Sequence, residues 1–148
     1  MTDKKIFVFD VDGTLANCGH RQHFVRNKPK NWPAFNKTMN QDTPHSDIIW
    51  LAKLFYDIGH TVLIASGRGK ENQAVTEKWL ADHEVKYHGI YMRNAKDSRA
   101  DNIVKMELLE LIRADFGEPF MVFDDRNQVV DAWRAAGIRC LQVQPGDF

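Results

Sequence analysis

The stretch Ile6-Phe-Val-Phe-Asp-Val-Asp-Gly-Thr-Leu15 joins an unbroken apolar run to two aspartates, a glycine and a threonine. A short apolar run of this kind is typical of a strand buried on both faces, as in a parallel sheet covered by helices. The aspartates then follow the carboxyl end of that strand, where open α/β sheets bind their ligands. The stretch therefore predicts both the first strand of an α/β fold and a candidate site at its end.

Further apolar runs alternate with segments of helical periodicity along the rest of the chain. The strands predicted after the first cover residues 61–65, 87–92, 120–123 and 139–143. The helices predicted between them cover residues 48–56, 71–83, 101–115 and 126–136. This alternation predicts a Rossmann-like α/β fold, with a parallel five-stranded sheet, right-handed crossovers and helices on both faces.

Residues 17–47 do not fit the alternation, and we expect them to form a small helical or irregular insert after the first strand. A segment this long in a compact domain is usually functional if it is not disordered. Because the sequence contains no repeats, low-complexity runs or linkers, we expect a single domain over residues 1–148.

Composition narrows the class of protein. The chain has 148 residues, a hydrophobic fraction of 43% and zero formal charge, which argues against binding nucleic acid or membranes with its whole surface. A local basic groove is still compatible with zero net charge. Cys18 and Cys140 are interpreted as free thiols in a reducing compartment. With no signal-peptide pattern and no apolar stretch long enough to span a bilayer, we expect a cytoplasmic protein without a membrane partner.

Asp10 and Asp12 are spaced so that both carboxylates can face one pocket on a bend after the strand. One carboxylate can attack phosphorus and form an aspartyl-phosphate, while the other protonates the leaving oxygen and later deprotonates water. Gly13 permits close approach of the backbone to a phosphate, and Thr14 can hold the turn. The alternative is an Asx turn that only closes the strand.

Ser66-Gly67-Arg68 follows the second predicted strand, at the same edge of the sheet. A hydroxyl group and free backbone N–H groups at the start of a helix could cradle phosphate oxygens. An ordinary strand-to-helix turn explains the same residues equally simply. A nucleotide P-loop is rejected, because Glu71 follows Lys70 where that motif requires Ser or Thr.

Lys105 lies near the start of the third predicted helix, four residues after Asp101. It could reach the pocket to neutralise a phosphoryl group, with Asp101 orienting it. The alternative is an exposed ion pair between residues i and i+4 of a helix.

Asp124 and Asp125 follow the apolar run at residues 120–123. Two adjacent acids that face one pocket favour a cation between them, and oxygen ligands of this kind suit Mg²⁺. The alternative is a helix N-cap, for which Asp125 alone would suffice.

Taken together, these motifs resemble the four signatures of the haloacid dehalogenase superfamily. The matching residues are Asp10 with Asp12, Ser66, Lys105, and Asp124 with Asp125. Dehalogenase members lack the second aspartate of the first signature, so Asp12 favours a phosphatase.

A narrower resemblance is to the 3′-phosphatase domain of bacteriophage polynucleotide kinase/phosphatases. It is carried by residues 10–16, 66–68, 101 with 105, 124–126, 128–130, 133–134 and 146–148. It implies Mg²⁺-dependent hydrolysis of 3′-phosphate ends of DNA or RNA, with catalytic residues Asp10, Asp12, Ser66 and Lys105. The implied substrate-binding residues are Arg21, Gly67, Arg68 and Asp101. The implied metal ligands are Asp10, Asp12 through its backbone carbonyl, Asp125, and Asp124 in a supporting position.

Two other functions stay open from the residues. The chain could hydrolyse free nucleotides or another small phosphoester. More remotely, it could be a phospho-aspartate receiver domain, although receivers carry the acidic pair after the first strand and not after the fourth.

The insert bears on that choice of substrate. Residues 13–41 contain five basic residues and no acid, namely Arg21, Arg26, Lys28, Lys30 and Lys37. The stretch could hold the backbone of a nucleic-acid end, with Trp32 or Phe35 stacking on a base. Equally, it could be a solvated basic loop whose aromatic residues form their own small core.

Overall fold

The computed structural model describes residues 3–148, so the first two residues of the predicted domain lie outside it. The strands in chain order are β1 (Ile6–Phe9), β2 (Ala16–Asn17), β3 (Thr43–Pro44), β4 (Thr61–Gly69), β5 (Gly89–Arg93), β6 (Met121–Asp124) and β7 (Cys140–Gln142). The helices are α1 (His23–Arg26), α2 (Trp32–Lys37), α3 (Ser46–Asp57), α4 (Gln73–Asp82), α5 (Asp101–Asp115) and α6 (Asn127–Ala135). Five strands form one parallel sheet in the order β5-β4-β1-β6-β7, which confirms the predicted α/β fold.

The central strand β1 explains why the helices cover both faces of the sheet. Phe9 belongs to a buried cluster that also takes residues from α3 and α4, whereas Val8 belongs to a cluster with residues from α5 and α6. Neither side chain is accessible to solvent. Because successive side chains of a strand point to opposite faces, an apolar run with no polar interruption is what such a strand requires.

The second strand of the sheet is longer than the predicted residues 61–65. β4 continues to Gly69, and its pairing with β5 shifts register between Ser66 and Gly69. The interpretation that the backbone N–H groups after Ser66 open a helix is therefore wrong, since these residues still belong to the strand. A 3₁₀ turn at Lys70–Asn72 precedes α4, because pairing with β5 carries the strand beyond its apolar part. The other main-sheet strands and the four long helices agree with the predicted bounds to within two residues.

The insert after β1 is helical, and a small two-stranded sheet closes its base. β2 and β3 pair antiparallel, with Asn17 opposite Thr43. The 3₁₀ turns at Gly19–Arg21 and Met39–Gln41 flank α1 and α2, and the insert has a small core of its own around Val25 and Phe35. Across residues 3–148, every helix is too short or too polar to pass through a lipid bilayer.

Candidate active site

Three aspartates from two neighbouring strands converge at the carboxyl edge of the sheet. Asp10 follows β1 directly, Asp124 ends β6, and Asp125 comes next. One carboxylate oxygen of each lies within 4.8 Å of the others, and all three residues are buried. Parallel pairing of β1 with β6 brings these distant parts of the chain together.

Lys105 joins this cluster from α5 and is completely buried. Its Nζ atom donates to Asp10 Oδ1 at 3.0 Å and to Asp124 Oδ2 at 2.8 Å. The alternative of an exposed helical ion pair is therefore wrong. The expected orienting contact from Asp101 is also absent among the described hydrogen bonds, since Asp101 accepts instead from Arg93 Nη2 at 3.2 Å.

The two acids at the end of β6 have different surroundings. Asp124 Oδ2 accepts from Lys105 and from Trp133 Nε1, and its Oδ1 accepts from the backbone N–H of Asp125. Asp125 Oδ2, in contrast, is buried without a hydrogen-bond partner among residues 3–148. Nor does Asp125 cap a helix, because the N-cap of α6 is Arg126 and no side chain bonds there. Asp125 thus has a free, desolvated oxygen of the kind that a cation satisfies.

The electrostatics of the cluster fit a divalent cation. Burial, and next the charge of Asp124, raise the pKa of Asp10 well above its usual value. The same two causes raise the pKa of Asp125 to about 7. Burial lowers the pKa of Lys105, but Asp10 and Asp124 outweigh it, so the pKa is raised and the ammonium stays charged. One ammonium faces three carboxyl groups, and hard oxygen ligands of this type suit Mg²⁺.

Gly13 is required for this packing. Its φ is +83°, and a Cβ atom at this position would collide with the Asp125 carboxylate. The motif glycine therefore meets two demands, a left-handed backbone conformation and close approach of the acid.

Asp12 sits apart from the three clustered acids, on the side of two arginines. Its Oδ1 accepts from Arg21 Nη2 at 2.7 Å and from Arg68 Nη2 and Nε at 2.6 and 3.1 Å. Burial raises the pKa of Asp12, but Arg68 and then Arg21 outweigh it and lower the pKa to about 2. The structure therefore brings both sequence-predicted arginines to the site, where they hold Asp12 as an anion.

The end of β4 supplies the remaining predicted residues. Ser66 is buried, and its Oγ accepts from the backbone N–H of Arg68 at 3.1 Å, which fixes the turn that carries the arginine. A Cβ atom on Gly67 would collide with the Asp101 carboxylate, and the Gly67 carbonyl accepts from Arg93 Nε. These contacts place Ser66 and Gly67 at the sheet edge without the helix N-terminus that was expected there.

Sequence reasoning missed Asp42, a buried acid that precedes β3. Its carboxylate accepts from Arg21 Nε at 2.8 Å and Nη2 at 2.5 Å, from Arg68 Nη2 at 3.3 Å, and contacts His20 Nε2 at 2.7 Å. Trp79 Nε1 fixes the backbone by donating to the Asp42 carbonyl. The sequence did contain one indication of its role, because Asp42 is the only acidic residue between Asp12 and Asp47.

The two aromatic candidates of the insert differ in exposure. Phe35 is 4% exposed and packs under the Arg21 guanidinium, whose Cζ lies 4.2 Å from the ring centroid. It therefore belongs to the small core of the insert, and the suggestion that it stacks on a base is wrong. Trp32 is 40% exposed and keeps an accessible ring surface.

Comparisons with known proteins agree with this geometry. The model of the polynucleotide kinase PNKP phosphatase domain matches residues 4–148. A solved Pnkp1/Rnl/Hen1 RNA repair complex is similar over 99% of this chain and 46% of that chain, with 31% identity and a TM-score of 0.77. A second Pnkp1/Rnl/Hen1 complex is similar over 100% of this chain and 49% of that chain, with 30% identity and a TM-score of 0.79.

More distant similarities point the same way. A protein of Autographa californica nuclear polyhedrosis virus, described as a bifunctional polynucleotide kinase/RNA ligase, is 27% identical over 84% of this chain and 17% of its own length. The class C acid phosphatase of Bacillus anthracis shares the fold, with 18% identity, a TM-score of 0.68, and coverage of 99% of this chain and 68% of that one. This chain spans less than half of the chains that it matches in the two Pnkp1/Rnl/Hen1 complexes.

Proposed function

Because this chain belongs to the polynucleotide kinase PNKP phosphatase-domain family of the haloacid dehalogenase superfamily and is a phosphatase, we propose that it hydrolyses 3′-phosphate ends of polynucleotides with Mg²⁺. The observation that carries the proposal is the convergence of Asp10, Lys105 and Asp125 at one sheet edge, beside two arginines. In this proposal the reaction proceeds through an aspartyl-phosphate on Asp10.

The first step transfers the phosphoryl group to the protein. A carboxylate oxygen of Asp10 forms a bond to phosphorus as the bond from phosphorus to the 3′ oxygen breaks. Asp12 donates a proton to that leaving oxygen. Lys105 lies 3.0 Å from Asp10 and offers its charge to the equatorial phosphate oxygens, which gain negative charge in the transition state.

Asp12 can act as an acid only if its surroundings change, since Arg68 and Arg21 hold its pKa at about 2 after outweighing burial. A phosphate dianion is a stronger competitor for both guanidinium groups than one carboxylate. As the arginines turn toward the phosphate, the pKa of Asp12 rises and the residue can carry a proton. In the second step Asp12 takes a proton from water as that water attacks phosphorus, and the bond to Asp10 breaks to release phosphate.

The metal site is proposed at the Asp10 and Asp125 carboxylates and the backbone carbonyl of Asp12. When bound, Mg²⁺ would neutralise negative charge shared by Asp10 and the phosphate and so permit the approach of two anions. Asp124 supports this site without a free oxygen to offer, because its carboxylate is engaged by Lys105, Trp133 and the Asp125 amide.

The polynucleotide end is favoured as substrate by two observations. Solved relatives at 30% and 31% identity are parts of Pnkp1/Rnl/Hen1 complexes, one of which is described as an RNA repair complex. Beside the site, the insert carries exposed cations, including Arg26 and Lys28. Free nucleotides are the competing substrate, and their hydrolysis would require neither a similarity to these complexes nor the exposed cations of the insert.

A comparison of substrates tests the proposed function. We expect a higher kcat/KM for a 3′-phosphorylated hexanucleotide than for a 3′-mononucleotide, and a fall of that advantage as salt rises, because backbone phosphates add cation contacts. A 5′-phosphorylated hexanucleotide of the same sequence is the control and should not be hydrolysed. Equal, salt-insensitive kcat/KM values for the two 3′ substrates would instead identify a small-molecule phosphatase.

Mg²⁺ affinity is expected to rise with pH up to about neutrality. Burial, and next Asp124, raise the pKa of Asp125 to about 7, so its carboxyl group is protonated below that pH and the cation must displace the proton. For each displaced proton, affinity should change by about tenfold per pH unit below the pKa of that carboxyl group, and the contribution of Asp125 should level off above about pH 7. Calorimetric titration between about pH 5.5 and 8 measures the Mg²⁺ affinity of the wild type and of the control Asp131→Asn, which changes an exposed residue. A pH-independent affinity would contradict the assignment of Asp125.

A further inference from the structure

Cations and aromatic rings alternate along a line whose middle member, Arg126, lies next to the acid pair. Lys30 Nζ lies 5.9 Å from the centroid of the Trp32 ring. Arg126 Cζ lies 5.7 Å from the Trp32 ring and 5.1 Å from the Phe148 ring. Arg26 Cζ follows at 5.3 Å from the Phe148 ring. These five residues form what we call the cation–aromatic row.

The middle of the row lies at the rim of the phosphatase site. Arg126 directly follows Asp125, and its Nη1 lies 3.9 Å from Asp101 Oδ2. Gly146 packs so closely on the backbone of Asp125 and Arg126 that a Cβ atom there would collide with it. This contact fixes the C-terminal segment, and with it Phe148, beside the site.

At one end the row borders a cavity of about 550 Å³ between the insert and the C-terminal segment. Arg26 and Phe148 belong to the row and also line this cavity. Its other lining residues include the amide side chains of Asn17, Gln22, Asn27 and Gln144. An amide offers both a hydrogen-bond donor and an acceptor, so it can pair with the exposed edges of unpaired bases.

The charges of the row are only partly compensated. Arg126 faces Asp101 and donates from Nε to the Phe148 carbonyl at 2.9 Å, and Arg26 pairs with Asp147 at 2.9 Å. Lys30 has no ion pair in the part of the chain that the structure describes. Burial, followed by the charges of Arg126 and Lys28, lowers the pKa of Lys30. Cations therefore lie near one another around an exposed tryptophan, which favours an anionic ligand with flat rings.

We propose that the cation–aromatic row binds the single-stranded arm of the substrate, on the 5′ side of the terminal phosphate. This inference rests on the proposed function and adds a second binding surface to it. Bases stack against Trp32 and Phe148, while internucleotide phosphates lie near Lys28 and Lys30. A single strand is specified because base faces are free for side-chain stacking only where the duplex is open.

The test measures binding apart from chemistry. A fluorescent single-stranded hexanucleotide with a 3′-hydroxyl group is titrated with wild type and variants, and anisotropy reports the Kd. Trp32→Ala should weaken binding about tenfold, equivalent to about 1.4 kcal/mol, and Trp32→Phe should restore most of the loss. Lys30→Ala should lower the slope of log K against log salt by about one. The control variants Trp50→Ala and Lys78→Ala, at exposed positions outside the insert, should bind like wild type.

Turnover gives a second readout. The ratio of kcat/KM for a 3′-phosphorylated hexanucleotide to that for p-nitrophenyl phosphate should fall in Trp32→Ala and Lys30→Ala. If both variants bind the oligonucleotide as wild type does, while the wild type still prefers the oligonucleotide substrate, the cation–aromatic row does not bind the single strand. The proposed function would then still stand. Loss of that preference in the wild type itself would overturn the proposed function. If Trp32→Ala does not fold, Lys30→Ala still decides between these outcomes.

Discussion

Replacement of Asp10 by Asn is expected to lower turnover by on the order of 10⁴-fold or more while the fold is retained. An amide is a poor nucleophile toward phosphorus, and no neighbouring carboxylate can take its place. Asp124 is held by three hydrogen bonds, and Asp12 is held by two arginines. Asp125 is the proposed metal ligand, so its free oxygen would be taken up by the cation. The variant should fold at least as stably as wild type, since burial and Asp124 already disfavour the charged form of Asp10.

Three measurements check this result: steady-state turnover, thermal unfolding, and acid-quenched protein after reaction with a ³²P-labelled 3′-phosphorylated oligonucleotide. Wild type should retain covalent label, and Asp10→Asn should retain none. The matched control is Asp131→Asn, the same chemical change at an exposed position on α6, which should behave as wild type. Covalent label on the Asp10→Asn protein would remove Asp10 as the nucleophile.

The parts of the site that follow strands could be predicted from the sequence. A strand buried on both faces has an unbroken run of apolar residues in the sequence. The first polar residue marks its end, as Asp10 does after Phe9. Parallel strands share their carboxyl edge, so the α/β alternation placed Asp10 and Asp125 at the same edge, and the pairing of β1 with β6 brings them together. Lys105 followed from the resemblance rather than from its spacing, which favoured an exposed ion pair.

Contacts made by the insert could not be predicted in this way. Nothing in the spacing of Asp42 distinguishes a buried partner of two arginines from a solvated acid, because the choice depends on how the insert lies over the sheet. Asp101 illustrates the same limit, since it contacts Arg93 and Arg126 and not the lysine one turn away. Ion-pair partners are set by tertiary packing, whereas the positions of strands along the chain are set by local pattern.

Asp42→Ala is expected to cause the largest loss of stability, about 3–5 kcal/mol. Arg21 and the Asp42 side chain are both fully buried, and removal of the carboxylate leaves the guanidinium without its main partner. Asp42→Asn should cost less, because an amide oxygen can still accept one hydrogen bond from the guanidinium group. Urea denaturation measures the free energy of unfolding, with Asp131→Asn as the control for loss of one negative charge.

The double variant Asp42→Ala/Arg21→Met separates the structural role of this pair from its role in turnover. Removing both buried charges together should recover much of the lost stability, since no uncompensated charge remains. Turnover should stay low, because Arg21 no longer reaches Asp12 or the phosphate. If stability and turnover instead returned together, Asp42 and Arg21 would be scaffold residues only, and Arg68 alone would hold Asp12. A loss below about 1 kcal/mol in Asp42→Ala would contradict the buried pairing itself.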